Sequence, residues 1–152
     1  MEVNPTAPVL ARAHILIDAP RDVVWKLQTD VSEWPRWRPQ VSAARLDGDL
    51  TVGSVFHWEE GGLQIASTVE ELDRPRRIVW SGSAQGIDAV HVWTFSPTDD
   101  GVLVETEESW DGEPVRAQAA SLQPLLDAAL RAWLKNLKRA AEANGQRIGI
   151  ED

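Results

Sequence analysis

Six short apolar segments follow one another between residues 41 and 110, and they constrain the fold more than any other feature. They cover Val41–Leu46, Ser54–Glu60, Leu63–Leu72, Arg77–Ala84, Ile87–Ser96 and Val102–Trp110. Each ends in turn chemistry such as Asp-Gly, Gly-Gly or Gln-Gly, which is typical of tight connections between antiparallel strands. With an earlier strand at Ala11–Ile17, the pattern predicts an antiparallel sheet of seven strands.

Two short helical segments are predicted between the first and second strands. Asp18 and Pro20 form a helix-start signal, and the apolar residues of Val23–Leu27 have helical spacing. A second helical turn is predicted at Val31–Trp37 and ends before Pro39, because proline disfavours the helical conformation in the residue before it.

One long amphipathic helix is predicted from Ser121 to Asn144, with Gly145 as its C-terminal cap. Its apolar face consists of Leu122, Leu126, Ala129, Leu130, Trp133, Leu137 and Ala140. Pro124 has two interpretations, since an interior proline removes a backbone hydrogen bond. Either the helix begins near Ser121 with Pro124 in its first turn, or a segment from Val115 kinks at Pro124. We favour the kink.

The order strand, two short helices, six strands and long helix predicts an α+β fold. The curved sheet must bury its apolar face against the long helix. A chain of 152 residues fits one domain, and we expect a flexible N-terminal leader at 1–10, the domain at 11–144 and a C-terminal tail at 145–152.

Composition and charge exclude several classes of function. The formal net charge of −9 opposes binding to nucleic acid or to an anionic membrane surface. The chain has no cysteine, which excludes disulfides and thiolate chemistry and agrees with a cytoplasmic location. No signal peptide and no apolar run of about 18 residues is present, so we expect no integral membrane association. His14, His57 and His91 lack metal-ligand spacing, and we predict neither a metal nor a cofactor.

Tryptophan is unusually frequent, with eight residues against two phenylalanines and no tyrosine. Trp34 and Trp37, in the segment EWPRWRP, are three residues apart and share one side of a helical turn. They either plug the end of the core or form a lid that contacts a ligand. The next residue, Arg38, either pairs with a ligand carboxylate or is a solvated surface charge.

The chain resembles the START-like (SRPBCC) superfamily, and within it the polyketide cyclase/dehydrase group. The resemblance extends from about Ala11 to Glu142 and is carried by APRDVVWKLQTDVSEWPRWRPQV, GSVFHW, TVEELDRPRRIVW, HVWTF and LKNLKRAAE. It implies a helix-grip fold, in which the sheet wraps around the C-terminal helix and encloses a cavity. The EWPRWRP segment then lies across one mouth of that cavity.

Strand alternation selects the residues that face the implied cavity, because every second side chain of a strand lies on the same face. His91, Trp93 and Phe95 share one face, which the resemblance places inward. The predicted ligand-binding residues are Trp34, Trp37, Phe56, Trp58, Ile65, Ser67, Trp80, His91, Trp93, Thr106, Glu108, Leu122, Leu126 and Leu130. The alternative is a filled core without a cavity, with the tryptophans occupying the space.

His91, Glu108 and Arg38 are the candidate catalytic residues. His91 and Glu108 lie on neighbouring predicted strands, and an apolar wall can raise the pKa of the glutamate to make it a usable acid or base. A buried His–Glu pair also satisfies its own hydrogen bonds and can be purely structural. Glu59 and Glu60, at a strand end, are expected to be solvated.

These observations favour a protein that binds a hydrophobic small molecule, either lipid-like or polycyclic and polyketide-like. The alternative is an enzyme similar to polyketide aromatase/cyclases, in which the same cavity positions a reactive chain. A partner-binding regulatory module that uses the acidic outer face is the third possibility. Fold alone does not choose between these functions.

Overall fold

A computed structural model describes the backbone of residues 1–151 and the side chains of residues 1–144. The strands are β1 (Val9–Ile17), β2 (Val41–Arg45), β3 (Val55–Glu60), β4 (Leu63–Asp73), β5 (Arg77–Ala84), β6 (Ile87–Thr98) and β7 (Gly101–Asp111). The helices are α1 (Arg21–Thr29), α2 (Trp34–Trp37) and α3 (Glu113–Glu151), with a 3-10 turn at Val31–Glu33.

The seven strands form one antiparallel sheet in the order β1-β7-β6-β5-β4-β3-β2. Strands β2 to β7 are consecutive neighbours, and β1 pairs with β7 to form the other edge strand of the sheet. The connections from β3 to β4 and from β5 to β6 each have two residues with positive φ, at Gly61-Gly62 and Gln85-Gly86. Positive φ at both positions is what a type I′ hairpin turn requires. The predicted α+β helix-grip fold is confirmed.

The long helix α3 packs against β1 and crosses the inner face of the sheet. It begins at Glu113, earlier than the predicted Ser121, and its backbone breaks at Gln118, where φ is −131° and ψ is 26°. The predicted kink at Pro124 is therefore wrong in position: the chain bends before the proline. The helix also continues past Gly145 to Glu151, so Gly145 is not its cap.

The main core fills the space between α1, α3 and the end of the sheet where β1 and β6 finish. Its fully buried side chains include Ile17, Trp34, Phe56, Ile78, Trp93, Phe95, Val104 and Leu137. Trp34 sits at the centre, with T-shaped contacts to Phe56, Trp58 and Trp133 at centroid distances of 5.3–5.6 Å. Large aromatic side chains thus account for this half of the interior.

The N-terminal leader lies against the outer face of the sheet. Val3 is buried against Val79 and Val92. The backbone N–H of Asn4 donates to Ser109 Oγ at 3.0 Å. The segment therefore covers apolar side chains of β5 and β6, and β1 starts at Val9, two residues before the predicted Ala11.

Within the described chain, no helix combines the length and the apolar character that are needed to cross a membrane.

Candidate functional site

A central cavity of about 190 Å3 lies between the inner face of the sheet and the N-terminal half of α3. Its apolar wall consists of Trp58, Leu63, Ile65, Trp80, Gly82, Ala84, Ile87, Ala89, Trp110, Leu126, Ala129, Leu130 and Trp133. Its polar groups are Arg38, Glu60, Ser67, His91 and Glu108. A mainly apolar wall with a few polar points is the usual composition of a small-molecule pocket.

Eight of the predicted ligand-binding residues line this cavity: Trp58, Ile65, Ser67, Trp80, His91, Glu108, Leu126 and Leu130. Trp34, Phe56 and Trp93 are packed in the core beyond its end. Thr106 is buried behind His91, and Leu122 packs with the smaller apolar cluster around Val9 and Val115. Alternation therefore found the inner face of each strand but did not separate the cavity from the filled core.

Trp34 plugs the end of the core, which is one of the two alternatives for the EWPRWRP segment. Its side chain is fully buried, and its indole N–H donates to the backbone carbonyl of Gln28 at 3.1 Å. It packs on Trp58, Trp80 and Trp133, which themselves line the cavity. Trp34 thus supports the cavity wall from behind without reaching its interior.

Trp37 does not reach the central cavity. It lines a separate outer groove between α1, α2 and the second half of α3, together with Leu27 and Ala140. The interpretation of Trp37 as a lid over the central cavity therefore does not agree with the structure. The residue from this segment that enters the cavity is the neighbouring Arg38.

Arg38 is buried, with only 1% of its side chain exposed, so the interpretation as a solvated surface charge is wrong. Its Nη2 donates to Glu60 Oε1 at 2.7 Å, and its guanidinium carbon lies 3.6 Å from the centre of the Trp133 ring. Glu60, expected to be solvated, instead lines the cavity as the partner of Arg38, with 30% of its side chain exposed. Burial lowers the pKa of Arg38, and the Glu60 carboxylate opposes that shift.

His91 and Glu108 meet in the cavity wall, as their places on paired strands predicted. His91 Nδ1 lies 3.1 Å from Glu108 Oε1, and His91 Nε2 lies 2.8 Å from Thr106 Oγ1. The Thr106 hydroxyl donates to the Val92 carbonyl, so it accepts from an N–H at Nε2. Nδ1 is then the bare nitrogen of the neutral ring, so a hydrogen bond between it and Glu108 requires the protonated carboxyl group as the donor.

Burial favours the neutral form of both members of this pair. Burial raises the pKa of Glu108 to about 7, and the Glu60 carboxylate acts in the same direction against the Trp110 hydrogen bond and Arg38. Burial also lowers the pKa of His91 well below its usual range, helped by the charge of Arg38. A carboxyl group that titrates near neutral pH in a cavity can give or take a proton there.

Several lining residues were missed because their burial depends on tertiary packing. Leu63, Ala84 and Ile87 follow or precede the two-residue turns, where sequence alone indicates only exposed hairpin ends. Trp110 also lines the cavity, and its indole N–H donates to Glu108 Oε2 at 2.7 Å, a contact that strand alternation does not indicate. Trp133 was assigned to the helix face without its cation contact to Arg38.

The histidines do not form a metal site. His14 and His57 are exposed on other parts of the sheet, away from His91. Over the residues whose side chains are described, no three acidic, histidine or cysteine groups come together in a way that could hold a metal ion.

Comparison with known families decides the relationship of this chain to other proteins. A family model described as polyketide cyclase / dehydrase and lipid transport matches residues 8–142. The chain belongs to this family. The match covers every strand and most of α3, and it confirms the resemblance to the START-like polyketide cyclase group. A search of curated proteins found no match.

Solved structures share the fold at low sequence identity. The hypothetical protein jhp0584 from Helicobacter pylori has a TM-score of 0.74 and 23% identity over 88% of this chain and 86% of its own. TTHA0849 from Thermus thermophilus has a TM-score of 0.76 and 17% identity over 89% and 98%. The di-domain ARO/CYC StfQ from the steffimycin biosynthetic pathway has a TM-score of 0.76 and 17% identity over 93% of this chain. This chain spans 52% of StfQ, about one of its two domains.

Proposed function

We propose that this protein binds a hydrophobic small molecule in the central cavity between the sheet and α3. The observation that carries the proposal is the cavity itself, which has indole and aliphatic walls and five polar side chains. Burial of apolar ligand surface against such walls supplies the affinity, and the polar groups orient the ligand. The family description, which includes lipid transport, supports the same function.

The proposal is tested by blocking the cavity from α3. Ala129 faces the cavity and its neighbour Ala128 is exposed, so Ala129→Leu and Ala128→Leu add the same three carbons in two different places. Toluene should change the tryptophan emission saturably in the parent and in Ala128→Leu, with a Kd below about 1 mM, which corresponds to ~4 kcal/mol. Ala129→Leu should lose this binding while remaining folded.

Loss of binding in both variants or in neither would contradict the proposed site. An unchanged emission of the parent with toluene, benzene and indole up to their solubility would contradict the proposed function.

A second candidate is a cyclase-like enzyme, and the His91–Glu108 pair is the observation that favours it. The pair lines the cavity, and Glu108 titrates near neutral pH. A cavity that folds a polycarbonyl chain needs little more than such a group to move a proton between carbon and oxygen. Incubation with a short linear triketone, followed by absorbance of an aromatic product, tests this activity. Turnover by the parent that is lost in Glu108→Gln would support the enzyme, and no turnover by the parent would exclude this reaction with that probe.

A further inference from the structure

We propose that the cavity selects compact molecules, about the size of one substituted ring, that carry a carboxylate, and that Arg38 binds this carboxylate. The inference rests on the proposed binding function and names the ligand class that the same cavity would take.

Arg38 has two buried nitrogens whose hydrogen-bond donors lack a described protein partner. An arginine has five N–H donors, and the described contacts of Arg38 use Nη2, which pairs with Glu60. Its Nε and Nη1 are buried and have no hydrogen-bond partner among the protein groups that the structure describes. Buried charged donors are normally satisfied, because leaving them unpaired is costly. A ligand oxygen that accepts from one of these donors would lower that cost.

Two contacts fix the orientation of the Arg38 guanidinium. One face of it lies on the Trp133 ring, and Glu60 holds one of its nitrogens. A cation that is fixed before binding loses little conformational freedom when an anion arrives. The guanidinium therefore favours an anionic oxygen over a neutral one of the same shape.

Glu108, His91 and Ser67, three other polar residues of the cavity, already have protein partners. Glu108 already accepts from Trp110 and faces His91 Nδ1. His91 Nε2 is occupied by Thr106, and Ser67 Oγ accepts from the Trp58 indole. Because these groups are engaged with each other, Arg38 is the charged group that has donors to offer a ligand.

The volume of the cavity limits the size of the ligand. The cavity has about 190 Å3, and an apolar cavity of about 150 Å3 in another protein holds benzene. Pockets for larger, drug-sized ligands have roughly 300–1,000 Å3. A single ring with its carboxylate at Arg38 and its body against Trp80, Leu126 and Leu130 therefore fits the space, whereas a fused polycyclic ligand requires the walls to move apart.

The experiment is a calorimetric titration of the full chain with benzoate and with benzamide, which has nearly the same shape without the charge. Benzoate should bind about 10-fold more tightly than benzamide to the parent. In Arg38→Met this preference should disappear while toluene still binds. Arg12→Met, which removes an exposed arginine paired with Glu107 on the sheet edge, should keep the full preference.

A second variant keeps the test decisive if Arg38→Met does not fold. Glu60→Gln leaves Arg38 in place and removes the carboxylate that competes for it, so benzoate affinity should rise at least about 3-fold while benzamide affinity stays constant. Equal affinities for benzoate and benzamide in the parent, or no rise in Glu60→Gln, would overturn the carboxylate inference alone if toluene binds. If toluene also fails to bind, the proposed function itself is wrong.

Discussion

The guanidinium carbon of Arg38 lies 3.6 Å from the centre of the Trp133 ring, so the segment after α2 and the long helix α3 meet through a cation and an indole. Trp133 in turn donates from its indole N–H to Gln28 Oε1 of α1 at 3.0 Å. One tryptophan therefore connects all three helices and forms part of the cavity wall. Substitution of Trp133 should therefore disturb both the helical layer and the cavity wall.

Trp34→Ala should cost much more stability than Trp37→Ala. Trp34 is fully buried among aromatic rings, so its truncation leaves a large void and should lower the free energy of unfolding by ~3–5 kcal/mol. Trp37 is only partly buried in the outer groove, and we expect a loss of about half that or less. Urea denaturation measures both losses. Toluene affinity should be unchanged in Trp37→Ala, and a clear decrease there would restore the lid interpretation.

Leu130→Asp should unfold the domain. Leu130 is 1% exposed and lies between the cavity and the smaller apolar cluster, where an unpaired carboxylate costs several kcal/mol, of order 3–5. Leu125→Asp is the matched control on the same helix, because Leu125 is 61% exposed. The control should change the free energy of unfolding by less than ~0.5 kcal/mol. Similar thermal melting of the two variants would show that this face of α3 is not buried.

Glu108→Gln should introduce a pH dependence of stability that the parent lacks. In the parent, folding removes a proton from His91 and adds one to Glu108. Between about pH 4.5 and 6.5 the pair therefore binds the same number of protons in the folded and the unfolded state. In Glu108→Gln only His91 contributes to the difference in bound protons between the two states, and folding lowers the pKa of His91. The unfolded variant then binds more protons, and its stability falls as the pH falls through ~6.5.

Urea titrations of Glu108→Gln and the parent at about pH 5, 6 and 7 measure this difference. The gap in free energy of unfolding should widen toward acid. A constant gap across this range would show that His91 is not held neutral by its surroundings.

Benzoate binding should weaken as the pH rises through about 7, whereas benzamide binding should not. Glu108 titrates in that range, and the groups that face it are His91, Trp110, Arg38 and Glu60. Below its pKa the carboxyl group is neutral, and above it the carboxylate repels an anion bound at Arg38. Calorimetry at about pH 6 and 8 should give the stronger benzoate affinity at pH 6. Glu108→Gln should remove the dependence, and a parent without any dependence would place the anion away from Glu108.

Most of the fold was predictable because its signals are local. Turn chemistry at Gly61-Gly62 and Gln85-Gly86 sets hairpins of two residues, and the predicted strand ends fall within two residues of those observed. The bend of α3 was misplaced because Pro124 is the conspicuous residue in the sequence. The helical backbone instead breaks at Gln118, before the proline, where no residue type in the sequence signals a break.

The site was predictable only in part, because depth along a strand is a tertiary property. His91 and Trp93 share a face of β6, yet His91 lines the cavity and Trp93 is sealed in the core. The larger error concerned the charged residues. The sequence around Arg38 and around Glu60, considered one residue at a time, indicates solvated side chains. Their burial follows from mutual pairing and from the Trp133 ring, which lies almost 100 positions away in the chain.

The Arg38–Glu60 pair also implies a trade-off between folding and selectivity. A charge pair beside an apolar wall is seldom the most stable solution, and apolar replacement of such pairs often stabilises a protein by ~1–4 kcal/mol. We expect the double variant Arg38→Met, Glu60→Leu to melt at a higher temperature than the parent and to treat charged and neutral ring compounds alike. The ligand-free protein would then be held below its attainable stability by the pair of residues that lets it discriminate.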